Sequence, residues 1–130
     1  MRHRMLATAL LISLATPNAA FAEAKLERTL KLLMPIDRMA QLCDATAMAR
    51  IRKDMAKFRP DRAVANATVD VVIAGNMLEA KGAAFRSHGK WYSLAYSCLT
   101  NDEHLKVLSF EYKVGSEIPQ EKWAGYGLWQ

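Results

Sequence analysis

The stretch Phe58-Arg59-Pro60-Asp61-Arg62 decides the fold, because the spacing of apolar residues changes across it. Pro60-Asp61 is typical of a turn. Before this stretch, apolar side chains recur every three or four residues, which predicts helices. After it, apolar and polar residues alternate, which predicts strands. Helices followed by a run of strands predict an α+β domain.

Two helices are predicted before this junction, over residues 24–33 and 36–56. Leu26, Leu30 and Leu33 share one face of the first helix. Pro35 interrupts the run and suits the first turn of the second helix. Within the second helix we interpret Asp44 as a cap between two helical pieces.

A four-stranded antiparallel meander is predicted after the junction, over residues 64–114, with its first strand at 65–73. Turn residues separate the strands, namely Gly75-Asn76, Ser87-His88-Gly89-Lys90 and Asn101-Asp102. One face of such a sheet is apolar and needs a cover, for which the two helices are the candidates. A short helix at Pro119 and an aromatic tail are predicted to follow the sheet.

The N-terminus has the pattern of a signal peptide over residues 1–22. Arg2, His3 and Arg4 precede an apolar run, and Ala20-Phe21-Ala22 predicts cleavage between Ala22 and Glu23. The apolar run is shorter than the roughly 20 residues of a membrane span, and no cysteine follows it for a lipid anchor. We therefore expect a single exported domain, residues 23–130, that is soluble and has no membrane span.

The charge balance does not favour nucleic acid as a partner. The formal charge of +5 falls to +3 when Arg2 and Arg4 leave with the signal peptide. Such a mildly basic surface is compatible with anionic lipid or a cell-wall polymer but does not imply either. Export to the cell envelope also argues against nucleic acid.

Cys43 and Cys98 both lie in the mature part of the chain. Two cysteines in a small exported domain predict one disulfide, here joining the helical layer to the third predicted strand. Two free thiols are the alternative. No second cysteine stands at the spacing of a thioredoxin-like redox pair.

Motifs of catalysis and cofactor binding are missing from the sequence. His88 and His104 fall at predicted turns, and no spacing of His and Cys is typical of zinc ligands. Neither a nucleophile elbow nor a glycine-rich phosphate loop is present. We therefore expect no enzyme activity, no metal and no cofactor.

Two segments contain candidate binding residues. Arg59 and Arg62 surround Asp61, so they either fix the crossover from helix to sheet or present a fork for an anion. Arg86 and Trp91 flank a hairpin turn, where cation–π stacking is plausible. Trp123 and Trp129 in the tail either cover the sheet or form a stacking platform for a sugar or peptide.

Several short runs together resemble the family called domain of unknown function 930. The runs are Leu33-Met34-Pro35-Ile36-Asp37-Arg38, Gln41-Leu42-Cys43-Asp44, Phe58-Arg59-Pro60-Asp61-Arg62, Gly82-Ala83-Ala84-Phe85-Arg86-Ser87 and Lys90-Trp91-Tyr92 with Cys98. The resemblance spans about residues 30–123. It implies a small exported protein of the periplasm in Rhizobiales and related alphaproteobacteria, and it implies no activity and no catalytic residue.

These observations favour a non-enzymatic binding or accessory domain of the periplasm, with an envelope protein as its partner. The alternative is a carbohydrate- or cell-wall-binding module that uses Trp91, Trp123, Trp129 and nearby arginines. An exposed row of these aromatic side chains would favour the alternative, and their burial would remove it. A small hydrolase with an unrecognised site is the third hypothesis.

Overall fold

A computed structural model describes residues 17–130 of the chain. The basic start and the apolar run of the predicted signal peptide lie outside the described residues, whereas Ala22 and Glu23 lie within the first helix. The elements in chain order are α1 Pro17–Lys31, α2 Pro35–Asp54, β1 Pro60–Val64, β2 Val72–Ala74, β3 Met77–Ser87, β4 Lys90–Thr100, β5 Val107–Glu117, α3 Gln120–Trp123 and a 3₁₀ turn Ala124–Tyr126.

The strands form one antiparallel sheet in the order β1-β3-β4-β5, and β2 pairs with β3 beyond the end of β1. The apolar side of α2, formed by Met39, Cys43, Ala47 and Ile51, is buried against one face of this sheet. The predicted α+β fold, with helices first and a sheet packed on them, is therefore confirmed. The sheet has five strands among the described residues rather than the predicted four.

The predicted first strand at 65–73 is wrong, because the chain leaves the sheet after Val64 and returns only at β2. In between, the backbone N–H of Thr68 donates to the Gly82 carbonyl at 2.8 Å. A Cβ on Gly82 would stand 2.5 Å from the nitrogen of Val69. The loop 65–71 thus crosses over Gly82, and it divides one predicted strand into β1 and β2.

The junction between helix and sheet lies slightly earlier than predicted. The Phe58 N–H donates to the Met55 carbonyl at 3.1 Å, so the turn comes before Arg59. Pro60 is already the first residue of β1 and pairs with Ser87. A proline is tolerated there because it is the first residue of an edge strand.

The second helix is continuous, and Asp44 does not cap a helix within it. Asp44 lies in the middle of α2 and is only 7% exposed. Its side chain instead contacts the sheet through a hydrogen bond from Tyr96. The cap interpretation was wrong because the helix needs no break there, and the carboxyl has a partner on β4.

The predicted disulfide between Cys43 and Cys98 is confirmed. It joins α2 to β4, the Cα atoms are 6.0 Å apart, and both residues are fully buried. By chain-entropy reasoning, closing a loop of this length stabilises the fold by roughly 4 kcal/mol. The bridge therefore fixes the helix on the sheet beside Asp44.

The C-terminal segment covers part of the opposite face of the sheet. Ile118, Trp123 and Leu128 form a second buried cluster with Ala84 of β3 and Trp91 of β4. The short C-terminal helix is as predicted, and of the two alternatives for the tail the structure shows a segment packed on the sheet through Trp123 and Leu128. The remainder of that face, towards β5, is polar and exposed to solvent.

The guanidinium of Arg38 holds α1 against the rest of the molecule. It donates to the carbonyls of Leu30, Lys31 and Leu33 at 3.0–3.4 Å, and to the carbonyl of Glu103 in the β4–β5 loop at 3.0 Å. These acceptors include the free carbonyls at the end of a helix, which need donors from elsewhere. Arg38 therefore joins α1, α2 and the β4–β5 loop.

Candidate functional site

The structure places Asp61 in an ion pair with Arg86, not with Arg59 or Arg62. Arg86 donates from Nε to Oδ1 at 2.9 Å and from its terminal nitrogen to Oδ2 at 2.8 Å. This hydrogen bonding, more than the nearby charge of Arg62, lowers the pKa of Asp61 below its ordinary value. Asp61 is therefore paired by Arg86 of β3 and not by the two arginines beside it in sequence, and the ion pair joins β1 to β3.

The two other arginines of that segment have separate contacts. Arg62 donates from its side chain to the backbone carbonyl of Asp61 at 2.8 Å. The backbone N–H of Arg59 donates to Ser87 Oγ at 2.8 Å. The Arg59 contact thus ties the start of β1 to the end of β3, while the Arg62 side chain contacts only its own strand and remains exposed.

Arg86 also lies over the ring of Trp91, as the hairpin position predicts. The guanidinium carbon is 6.0 Å from the ring centroid, which is at the outer limit for a cation–π contact. Because Nε and one terminal nitrogen of Arg86 already donate to Asp61, this guanidinium has a structural role.

The tryptophans do not form the exposed row that a sugar platform requires. Trp91 is fully buried and Trp123 is 8% exposed, whereas Trp129 is 48% exposed. The indole N–H of Trp91 donates to the Trp129 carbonyl at 2.6 Å, and that of Trp123 donates to the Ile118 carbonyl at 2.9 Å. Trp91 and Trp123 therefore hold the C-terminal segment on the sheet, and their predicted ligand role is not supported.

A groove runs between α2 and β1, and we call it the α2–β1 groove. It consists of two adjoining hollows of about 590 and 600 Å³, a size typical of ligand sites. Both hollows are lined by the same six residues, Asp37, Ala40, Gln41 and Asp44 from α2 and Arg62 and Ala63 from β1.

The ends of the α2–β1 groove are apolar. Towards α1 it is bordered by leucines and a methionine, which are Leu26, Leu30, Leu33 and Met48. Towards the loop 65–71 it is bordered by Ile36, Val64, Ala65, Val71, Ile73 and the half-exposed Trp129. Apolar walls with a few charged groups are the usual make-up of a binding site.

Asp44 lies on the wall of this groove, with its carboxyl largely withdrawn from water. Tyr96 donates from its hydroxyl to Asp44 Oδ1 at 2.8 Å. Burial raises the pKa of Asp44 to about 7, against a smaller lowering effect of the hydrogen bond from Tyr96. Burial also raises the pKa of Tyr96, and the neighbouring carboxylate adds to that effect. The pair therefore changes charge near neutral pH through Asp44.

Comparison with protein families identifies the chain. The model of the family described as Domain of Unknown Function (DUF930) matches residues 30–128. The chain belongs to this family. No curated protein and no solved structure gives a significant match. The matched residues of the DUF930 domain include α2, the whole sheet, the disulfide and the C-terminal cluster, and hence both walls of the groove.

Outside the groove, the described residues form a smaller hollow of about 390 Å³ between α1 and the start of β5, lined by Leu26, Leu42 and Lys106 among others. Within residues 17–130, no three His, Cys, Asp or Glu side chains are arranged to hold a metal ion. No helix in that range is long and apolar enough to cross a membrane. The open sheet face has a shallow depression between Lys81 and Lys113, with Ala95 as its floor.

The histidines of the DUF930 domain lie at turns, as predicted. Both His88 and His104 have a positive φ, of 50° and 56°. His104 Nδ1 is 2.7 Å from the hydroxyl of the buried Thr100. This contact closes the β4–β5 loop and gives His104 a structural role there.

Sequence reasoning missed the groove and its acid. Asp37, Gln41, Asp44 and Met48 recur at spacings of four, three and four residues, so they form one stripe along α2 next to its core face. That stripe could have predicted that a second, partly polar side of α2 also faces other residues of the molecule. Nothing local to β1, however, places Ala63 opposite this stripe.

Proposed function

We propose that this chain is a non-enzymatic binding domain of the periplasm, which holds an extended segment of an envelope protein in the α2–β1 groove. The observation that carries the proposal is the juxtaposition of an apolar groove with an edge strand. In several peptide-binding domains, an extended segment adds to a sheet edge while its side chains enter neighbouring pockets. The same two elements, a free edge and pockets beside it, occur together here.

The edge of β1 supports a polypeptide as the occupant. Residues 62–65 line the groove in unbroken succession, so it borders the edge of the strand and not one face. Among the described strands, β1 pairs only with β3. Neighbouring residues of an antiparallel pair direct their N–H and C=O groups alternately towards and away from the partner. One of Ala63 and Val64 therefore directs both groups outward, and no hydrogen bond between described residues occupies them.

The compartment is proposed on two grounds. The N-terminal pattern of Arg2 to Ala22 is typical of a signal peptide. The disulfide between Cys43 and Cys98 is typical of proteins in oxidising compartments. Together they support an extracytoplasmic protein, and the periplasm is the compartment that the family resemblance implies.

A carbohydrate-binding module is less well supported. Sugar platforms need aromatic faces that are open to the ligand, and here Trp91 and Trp123 are buried.

An enzyme would need several titratable side chains that point into one cleft. In the groove these are Asp44 and the exposed Asp37 on one wall, with Asp61 and Arg62 opposite, and Asp61 is already bound by Arg86.

The experiment is selection of short random peptides displayed on phage, with residues 23–130 immobilised. The enriched peptide is then titrated while backbone amide NMR spectra are recorded. We expect the largest shifts at residues 61–66 and along the groove face of α2. Selection of no peptide, or shifts confined to the open sheet face, would contradict the proposal.

A pair of matched variants tests the location. Ala40→Phe fills the groove from α2, and Ala95→Phe places the same bulk on the opposite, open face of the sheet. We expect Ala40→Phe to weaken the selected peptide at least about tenfold, because the segment loses its place beside β1. Ala95→Phe should bind like the wild type. Equal affinity of the two variants would place the peptide elsewhere.

A further inference from the structure

The second carboxylate oxygen of Asp44 is open to the groove. Tyr96 occupies Oδ1, and no other hydrogen bond within residues 17–130 reaches this carboxyl. Every fully enclosed side-chain nitrogen or oxygen of the described residues has a hydrogen-bond partner. Oδ2 is therefore not enclosed, although the residue as a whole is 93% buried, since only 7% of its surface is exposed.

Asp44 also lacks a counter-charge in the described structure. Across the groove, Arg62 donates to the Asp61 carbonyl, and no ion pair joins Arg62 to Asp44. Asp61 is itself bound by Arg86, and Asp37 adds a second carboxyl on the same face of α2. On β4 the facing group is Tyr96, and α1 contributes only apolar residues and a threonine to this wall.

We infer that the segment bound in the groove places a basic side chain, lysine or arginine, on Oδ2 of Asp44. This inference rests on the proposed function and names the chemistry of its ligand. The argument is charge complementarity, because the groove offers a withdrawn carboxyl with one free oxygen and no basic partner. A cation reaching it would make an ion pair in surroundings of low dielectric, where such pairs are stronger than in water.

Binding of this cation must be coupled to a proton. Burial raises the pKa of Asp44 to about 7, so at lower pH the carboxyl is neutral and offers no charge. When the cation enters, Asp44 releases its proton to solvent, and the carboxylate forms the pair. The affinity for a basic segment therefore rises with pH until Asp44 is ionised in the free protein.

The test uses two synthetic peptides of alternating threonine and valine, capped at both ends. One has a lysine at its centre, and the other has norleucine, which has the apolar stem without the charge. Their affinities for residues 23–130 are measured by calorimetry. For the lysine peptide we expect binding about tenfold tighter at about pH 8 than at about pH 6, because the ionised fraction of Asp44 rises by about that factor. The norleucine peptide should show no such change.

Two variants provide the controls. Asp44→Asn retains an acceptor for Tyr96 and removes the charge, so it should abolish both the pH effect and the preference for lysine. Asp54→Asn is matched to it, since Asp54 lies on the same helix and accepts a hydrogen bond from Tyr112 at 2.8 Å, but away from the groove. Asp54→Asn should leave both properties unchanged.

The outcomes separate the two proposals. If both peptides bind in the groove equally and without pH dependence, this inference is overturned and the proposed function stands. If neither peptide binds, this inference is overturned, and the phage selection alone decides the proposed function. Should Asp44→Asn fail to fold, the comparison of the two peptides on the wild-type protein decides alone.

Discussion

The carboxyl of Asp44 is protonated in the folded protein over a pH range in which an ordinary aspartate is ionised. Its pKa is about 7 when folded and 3.8 in an ordinary environment. Between these two values the folded state binds this proton more tightly than the unfolded state. Stability therefore falls as the pH rises through this window, and it is level above it.

The first prediction concerns Asp44→Asn, which removes this titration but retains an acceptor for Tyr96. Between about pH 5 and about pH 8 we expect the free energy of unfolding to rise relative to wild type by roughly 2–3 kcal/mol. Denaturant unfolding at both pH values measures it. For Asp54→Asn, which removes an exposed carboxyl, the difference from wild type should change by less than about 0.5 kcal/mol. A constant difference for Asp44→Asn would show that Asp44 ionises normally.

The second prediction concerns Arg38, whose contacts depend on the shape of the guanidinium. A lysine has the charge but cannot reach four carbonyls on different elements. We expect Arg38→Lys to lower the free energy of unfolding by about 1–2 kcal/mol. It should also speed hydrogen exchange in the last turn of α1, because Leu30 and its neighbours lose their link to α2.

Arg52→Lys is the matched control for Arg38→Lys. Arg52 donates from one terminal nitrogen to the Pro60 carbonyl at 2.7 Å, a contact that an ammonium group can remake. Its stability should stay within about 0.5 kcal/mol of the wild type. Equal losses in the two variants would mean that the number of carbonyls bound by Arg38 is unimportant.

At the level of elements, the local sequence pattern predicts those helices and turns that are formed by interactions between residues close in sequence. The apolar period gives α2, and Gly75-Asn76 and His88-Gly89 mark the two-residue turns on either side of β3. The strand predicted at 65–73 fails for a non-local reason. Apolar and polar residues do alternate there, but Thr68 donates its backbone N–H to the Gly82 carbonyl instead of pairing within the sheet. Because Gly82 has no side chain, Thr68 and Val69 can lie directly against it.

The third prediction tests this account of the loop. In Gly82→Ala the new methyl would meet the backbone of Val69, which cannot move without displacing the loop 65–71. We expect a loss of about 1–3 kcal/mol in the free energy of unfolding, measured by denaturant unfolding. Gly125→Ala has no atom within 4 Å of the new methyl, so it should lose less than about 0.5 kcal/mol. Equal stability of both variants would contradict the close crossing at Gly82.

At the level of the whole molecule, the groove exists because separate parts of the chain meet. Its walls come from the middle of α2, from the edge of β1 and from Trp129 near the end of the chain. Sequence patterns predict α2 and a turn at Pro60-Asp61 one at a time, but they do not predict which face of α2 lies beside β1. The disulfide is the exception, since Cys43 and Cys98 predicted one contact between the layers before the fold was known.

The last prediction concerns the C-terminal segment, which seals the second cluster. Ending the chain after Gly127 removes the buried Leu128 and the carbonyl of Trp129 that accepts the Trp91 indole N–H. We expect a loss of about 3 kcal/mol in the free energy of unfolding, from the apolar area and the unpaired donor together. Compared with Trp129→Phe, which lacks the same half-exposed emitter, tryptophan emission of the shortened chain should shift to the red as water reaches Trp91.

Trp129→Phe separates the backbone of this segment from its exposed side chain. The variant retains Leu128 and the carbonyl at position 129, so Trp91 keeps its acceptor and its cover. We expect a change of less than about 1 kcal/mol and, since one emitter is removed, a spectrum weighted towards the buried tryptophans. If Trp129→Phe is as unstable as the truncated chain, the half-exposed ring and not the backbone carbonyl holds the segment on the sheet. Trp129, which borders the groove, would then also be part of the packing around Trp91.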